Sequence, residues 1–380
     1  MDPEQEARPV LDKLTAENFC ERINAKDGSL WTTQAAPEDN PSKWLGWMDI
    51  AAQMEGKVAE LKRFVLEVRD AGYVDAVLLG MGGSSLAPEV MRRTFAPGEG
   101  YPTDGYLRLH VLDTTDPATI LAVEEKIDPA HTLFIVSSKS GSTIEPNSLY
   151  AYFRSKVEAV VGAEKAGQRF VAVTDPGTSL ERLAGEQGFR HVFHGEPTIG
   201  GRYSALSYFG LVPAALIGVD ISDLLERAQV MARMCYNCDE HNDGLKLGAV
   251  MGWAWQQGRD KVTLVLPPPM ASFGLWAEQL IAESTGKQGK GIVPVAGEPL
   301  GSPQDYGNDR LFVCIGIKGL YDCPPEIAAL EQAGQPVYHI NVDGVYALGA
   351  EFYRWEYATA VAGSILGINA FDQPNVTESK

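Results

Sequence analysis

Apolar positions along this chain follow two rhythms, and the change from one to the other divides it. Before residue 73 the spacing is helical. Ile50, Met54, Val58, Leu61, Val65 and Val68 recur at three- and four-residue steps and predict one buried face. Residues 1–72 therefore read as helical, with a loop from Pro37 to Pro41 and with Trp44 and Trp47 packing on the same surface. From residue 73 short unbroken apolar runs take over: "YVDAVLLG", "LRLHVLD", "HTLFIVSS" and "RFVAVTD", separated by helical stretches. A helical stretch at 221–258 follows, and then a second series, "KVTLVLPPP", "GIVPVAG", "RLFVCIGI" and "PVYHINV". Continuous apolar strands alternating with helices predict parallel sheets covered on both faces. The chain reads as α/β, with an N-terminal helical segment (1–72) and two doubly wound parallel-sheet domains of similar plan (73–225 and 226–380). In such sheets ligands bind outside the carboxyl ends of the strands, so functional residues are expected there.

Composition changes this picture only at the margins. The 380 residues are 45% hydrophobic and 22% charged, which suits about two globular domains. A net charge of −18, from 32 basic and 50 acidic residues, argues against nucleic acid or an anionic membrane as partner. It leaves room for an anionic small substrate held by local donors. The opening "MDPEQEARPV" lacks the regions of a signal peptide, and no apolar run reaches the length of a membrane span. Five scattered cysteines read as reduced thiols in a cytoplasmic protein. Cys235, Cys238 and His241 have the spacing of metal ligands, but they read as residues of one helix with no fourth ligand following. No metal site is expected.

Five stretches carry candidate chemistry. "GMGGSSLAP" (80–88) follows the first strand, but Ser85 replaces the third glycine of a dinucleotide fingerprint. "SSKSGSTIEP" (137–146) offers the hydroxyls of Ser138, Ser140, Ser142 and Thr143, the charge of Lys139 and a helix N-terminus. That is a way to hold a phosphate dianion without a metal, where capping alone would use a single hydroxyl. "GGRYSALSYFG" (200–210) sets Arg202 behind two glycines. In "IAESTGKQGKG" (281–291), Glu283 lies at the end of an apolar helix that Gly286 would stop. "NAFDQPNVTESK" (369–380) places Gln373 and Lys380 seven residues apart, on one face if helical.

In order and approximate spacing, "GMGGSS", "SSKSGST", "GGRYS", "AESTGK" and "FDQPNVTESK" resemble the signatures of the phosphoglucose isomerase family. The stretch "GAEFYRWEYATAVAGSILGINAFDQPNV" looks most like the isomerase half of bacterial transaldolase–isomerase fusions. The resemblance implies two sugar-isomerase (SIS) domains and a cofactor-free aldose–ketose isomerase of glucose 6-phosphate and fructose 6-phosphate. It also implies a phosphosugar as the only ligand and a homodimer in the cytoplasm. Carried over by residue, Gly83 and Ser84 contact substrate, and Ser138, Lys139, Ser140 and Thr143 hold the phosphate. Arg202 stabilises the enediolate, Glu283 is the base, and Gln279 and Gln373 contact substrate. Lys380 assists ring opening. The competing reading is a non-catalytic SIS protein that binds a phosphosugar and regulates a partner. Two departures stand out. The family's ring-opening histidine has no match in "GEPLGSPQDYGNDRLF" (297–312), which leaves Asp305, Tyr306, Asp309 and His339 as candidates. The chain also stops at Lys380 where the family continues, and this predicts a truncated chain.

Overall fold

The computed structural model describes residues 1–32, 40–95 and 105–372, and its architecture is mixed α/β. The chain forms two compact units. One comprises Asp49–Asp223; the other joins Met1–Met48 to Leu224–Lys380.

In the first unit the strands β1 (Asp75–Gly80), β2 (Arg108–Leu112), β3 (Thr132–Ser137), β4 (Phe170–Thr174) and β5 (His191–His194) form a parallel sheet in the order 2-1-3-4-5. Every residue of β1, β3 and β4 is buried, because helices cover both faces and leave no polar side to alternate with. On one face Val77, Leu79, Phe134, Val136, Phe170 and Ala172 stack at period two under helix Ile144–Val161. The Phe134 and Phe170 rings lie 5.1 Å apart. Eight of the nine strands among the described residues coincide with runs visible in the sequence. The exception, β5, is four residues long and begins and ends in histidine, so it offers no apolar run to read.

The second unit holds β6 (Lys261–Val265), β7 (Val293–Ala296), β8 (Arg310–Ile317) and β9 (Val337–Val342), parallel in the order 7-6-8-9. Helix Leu348–Leu366 is buried along almost its whole length and packs against helix Asp243–Gln256. A Cβ on Gly248 would come within 2.5 Å of Val361 Cβ, so this glycine lets the two backbones approach. Both predicted sheets and the opening helices are therefore present, although the long amphipathic stretch is two helices, Trp47–Glu55 and Val58–Asp70.

Two expectations are overturned. The stretch 221–258 is not continuous: helix Ile221–Met234 ends before Cys235, and Asn242 caps the next helix by accepting from Leu245 N–H at 2.7 Å. Cys235, Cys238 and His241 thus lie in a loop rather than on one helix face. The thiols are not all reduced either. Cys20 is bonded to Cys238 and Cys314 to Cys323, which leaves Cys235 free, and burial pushes its thiol up to about 12. These pairings depend on tertiary proximity that spacing cannot show, since Cys20 and Cys238 are 218 residues apart. No helix among the described residues is long and apolar enough to cross a membrane.

Candidate active site

Strand order 2-1-3-4-5 creates a switch point between β1 and β3, where the loops leaving the carboxyl ends of the two strands diverge. The "GMGGSS" and "SSKSGST" loops are those two loops. They touch: Ser137 Oγ donates to the Ser84 carbonyl at 3.3 Å. The "GGRYS" turn joins them from the other side, with Ser204 Oγ donating to the Gly83 carbonyl at 3.3 Å and to that of Gly201 at 2.7 Å. A Cβ on Gly83 would lie 2.2 Å from the Gly201 carbonyl oxygen, so the packing of the two turns demands glycine there. Ser84 and Arg202 are buried, at 8% and 3% exposure. The first unit therefore brings Gly83, Ser84, Ser138, Lys139, Ser140, Thr143 and Arg202 to one end of one sheet.

The loop after β3 gathers hydroxyls at the start of a long helix. Thr143 has the backbone of an N-cap residue for helix Ile144–Val161, yet its side chain caps nothing. Among the described residues no side chain caps the first N–H groups of this 18-residue helix, at the positive end of its dipole. Ser138 Oγ donates to Thr143 Oγ1 at 3.1 Å, and the Ser140 and Ser142 hydroxyls lie 3.0 Å apart. Gly141 turns the loop with φ +68°, and a Cβ there would strike Thr178.

Lys139 is committed elsewhere. Its ammonium pairs with the Asp175 carboxylate and donates to the Glu196 carbonyl at 3.3 Å. Burial raises the Asp175 pKa, and the lysine offsets this only in part. A lysine already balanced by a carboxylate adds less to an anion seat than a free one, although the pair holds the β3 and β4 loops together. The sequence did carry a signal for this partner: "RFVAVTD" ends in Asp175 at the same strand end as "SSKSGST".

In the second unit, helix Phe273–Thr285 buries Phe273, Trp276, Ala277, Leu280 and Ile281, which leaves Glu283 exposed near its end. Gln279, one turn earlier, donates Nε2–H to Glu283 Oε1 at 3.0 Å. Gly286 is the C-cap, as its position in the sequence suggested. The lysines that follow reach the C-terminal part of the chain. Lys287 Nζ donates to the carbonyls of Asn369 (2.6 Å) and Asp372 (2.9 Å) and pairs with the Asp372 carboxylate at 2.5 Å. Lys290 Nζ donates to the Leu366 carbonyl at 2.6 Å, at the negative end of helix Leu348–Leu366. Gln373 and Lys380 lie outside the described residues.

The candidates for ring opening all have structural partners. Asp305 accepts from Ser302 N–H and Oγ, and Tyr306 Oη accepts from Gly301 N–H at 2.8 Å. Asp309 pairs with Lys261 at 3.1 Å just before β8, the amino end of that strand and the wrong end for a ligand. His339 Nε2 lies 2.8 Å from Glu331 Oε1.

Comparison with known proteins identifies the family and the fold. A family model described as phosphoglucose isomerase matches residues 32–293. The glucose-6-phosphate isomerase of Rubrobacter xylanophilus is 30% identical over 96% of this chain and 91% of its own length. One from Thermus thermophilus is 30% identical over 91% and 90%. Among solved structures, a hypothetical protein from Thermus thermophilus matches with a TM-score of 0.81 at 27% identity, covering 98% of this chain and 95% of that one. Tagatose-6-phosphate ketose/aldose isomerase from Escherichia coli shares the fold, with a TM-score of 0.54 at 13% identity over 86% and 92%.

Proposed function

The chain belongs to the phosphoglucose isomerase family, and on that footing we propose that it interconverts glucose 6-phosphate and fructose 6-phosphate through a cis-enediolate. The family match and relatives near 30% identity favour an enzyme over a phosphosugar-binding regulator. The observation that carries the substrate class is the uncapped N-terminus of helix Ile144–Val161 behind its rim of hydroxyls. A phosphate dianion there accepts from backbone N–H groups and from Ser138, Ser140 and Thr143, and it gains from the helix dipole. Gly83 and Ser84 line the sugar's approach, with Gln373 as a further contact.

The chemistry assigned to the remaining residues follows from the reaction. Glu283 removes the C2 proton of the open-chain aldose and returns it to C1. The C2–H pair becomes the C1–C2 double bond while the carbonyl pair moves to O1; a proton then passes from O2 to O1, the O2 pair forms the C2 carbonyl, and the double-bond pair takes up the proton at C1. Gln279 holds one carboxylate oxygen of Glu283 at 3.0 Å, which fixes the direction in which the base points. Arg202 faces the developing oxyanion, a fixed positive charge matched to the intermediate rather than to the neutral carbonyl. Lys380 assists ring opening. The working form is proposed to be a cytoplasmic homodimer, on the strength of the family resemblance.

The test is proton exchange. In heavy water the wild type should incorporate deuterium at C2 of glucose 6-phosphate as it turns over. Glu283→Gln should abolish incorporation and lower turnover at least ~100-fold, while keeping phosphosugar affinity within a few-fold. Near-normal exchange by that variant would assign the base to another residue.

A further inference from the structure

In the second unit two cysteines and a histidine, none of them given a role in isomerisation, converge. Cys314 on β8 and His339 on β9 are direct partners in the parallel register. Cys323, from the loop beyond β8, is bonded to Cys314 and places its Sγ 3.6 Å from His339 Nδ1. One ligand atom from each of the three residues lies within 4.8 Å of the others. The other ring nitrogen, Nε2, is 2.8 Å from Glu331 Oε1 on helix Pro325–Gln332.

We propose that this cluster is a redox-gated site for a zinc-class divalent ion, with Cys314, Cys323 and His339 as ligands and Glu331 as the carboxylate that orients the imidazole. Three features support it. Two sulfurs and one imidazole nitrogen form the donor set that borderline-soft ions select over magnesium or calcium. Zinc bonds of ~2.3 Å to sulfur and ~2.05 Å to nitrogen, opened to a tetrahedral angle, place the two donors about 3.6 Å apart, the separation found for Cys323 and His339. Glu331 accepts a hydrogen bond from Nε2–H, so the proton stays on Nε2 and the Nδ1 lone pair faces the sulfurs, the carboxylate–histidine arrangement that supports metal-bound imidazoles.

The oxidised form does not bind, because the thiolate is the sulfur that ligates a metal and the sulfurs of a disulfide are uncharged, weak donors. A dithiol reductant delivers two electrons and two protons to the Cys314–Cys323 bond, giving two protein thiols and the oxidised reductant. A divalent ion then displaces both thiol protons to solvent and takes the two thiolates and the neutral imidazole. With Cys314 buried, Cys323 half-buried and His339 exposed, the ion would enter from the histidine side, and the fourth position falls to solvent. The binding state of the site would thus report the thiol balance around the protein.

The experiment uses the full chain and cobalt(II), whose thiolate charge-transfer absorption reads sulfur ligation directly. Protein reduced by a dithiol and then freed of it should bind one equivalent with that absorption, and zinc should displace it. Unreduced protein should not respond. Neither Cys323 nor His339 is fully buried, and the variants Cys323→Ser and His339→Ala are checked for folding by circular dichroism. Cys323→Ser should lose the absorption, and His339→Ala should weaken binding at least ~10-fold. Glu331→Gln should weaken it by about 10- to 100-fold. Absence of charge transfer in the reduced wild type, or its persistence in folded Cys323→Ser, overturns the assignment. The second result would move the cobalt to Cys20, Cys235 and Cys238.

Discussion

Ser138 and Thr143 hydrogen-bond to each other in the loop proposed to hold the phosphate, and this makes their removal a quantitative test of that proposal. A hydroxyl donating to a phosphate oxygen contributes about 1.5–3 kcal/mol, and the neutral Ser138–Thr143 bond about 1 kcal/mol. Binding redirects the Ser138 proton, so the wild type gains two charge-assisted bonds and loses the internal one. Either single alanine variant gives up one phosphate bond but no longer has the internal bond to break. Its net loss is about 0.5–2 kcal/mol, or roughly 2- to 30-fold in affinity. The double variant gives up both phosphate bonds, a loss of about 2–5 kcal/mol. That exceeds the sum of the singles by the internal bond. Calorimetric titration of fructose 6-phosphate and of inorganic phosphate into the four proteins measures each corner of the cycle. Unchanged affinity in the double variant would place the phosphate elsewhere. Strictly additive losses would show that the two hydroxyls do not exchange partners on binding.

Three further outcomes are expected. Lys287→Met removes a buried ammonium from two carbonyls and a carboxylate at 369–372; it should cost about 2–4 kcal/mol in urea unfolding and depress turnover by freeing the segment that leads to Gln373. Unaltered stability and turnover would refute the anchoring role. Glu356 is fully buried without a hydrogen-bond partner among the described residues, and burial raises its pKa well above the ordinary range. The folded chain keeps a proton there that the unfolded chain releases above its own pKa, so this residue makes stability fall as pH rises, by about 1.4 kcal/mol per unit between the two values. Glu356→Gln should lose that slope at pH values above the ordinary glutamate value of 4.5, and parallel pH profiles for variant and wild type would argue against a buried proton. A dimer should appear by light scattering at micromolar concentration, and a monomer would count against the proposed assembly.

The sequence made strands visible wherever both faces were covered, because full burial leaves an unbroken apolar run. β5, short and flanked by polar histidines, gave no such run. The candidate site was legible as three separate motifs at strand ends of the first unit, and the 2-1-3-4-5 order brings those loops together. Pairings between distant residues were not legible. Asp175 could be placed at the same strand end as Lys139, but nothing local marks the two as an ion pair. Nothing near Lys287 announces the carbonyls of 369–372, and the cysteine spacings gave no hint of the two disulfides. Each of these depends on where the fold carries the chain, which local pattern does not encode.

The bond between Cys20 and Cys238 has a consequence for how the chain can come apart. The unit Asp49–Asp223 is inserted in the other unit, and both of its ends lie inside the covalent ring that this bond closes. In the chain-entropy treatment a ring of 218 residues limits the unfolded state by about 5 kcal/mol, and that benefit goes to the unit built from both ends of the chain. A single protease cut anywhere between residues 21 and 237 would open the ring without dividing the molecule. The two pieces would migrate as one species without reductant and as two with it. Digestion that nicks the inserted unit would therefore leave the N-terminal helices tethered to the sheet they pack beside.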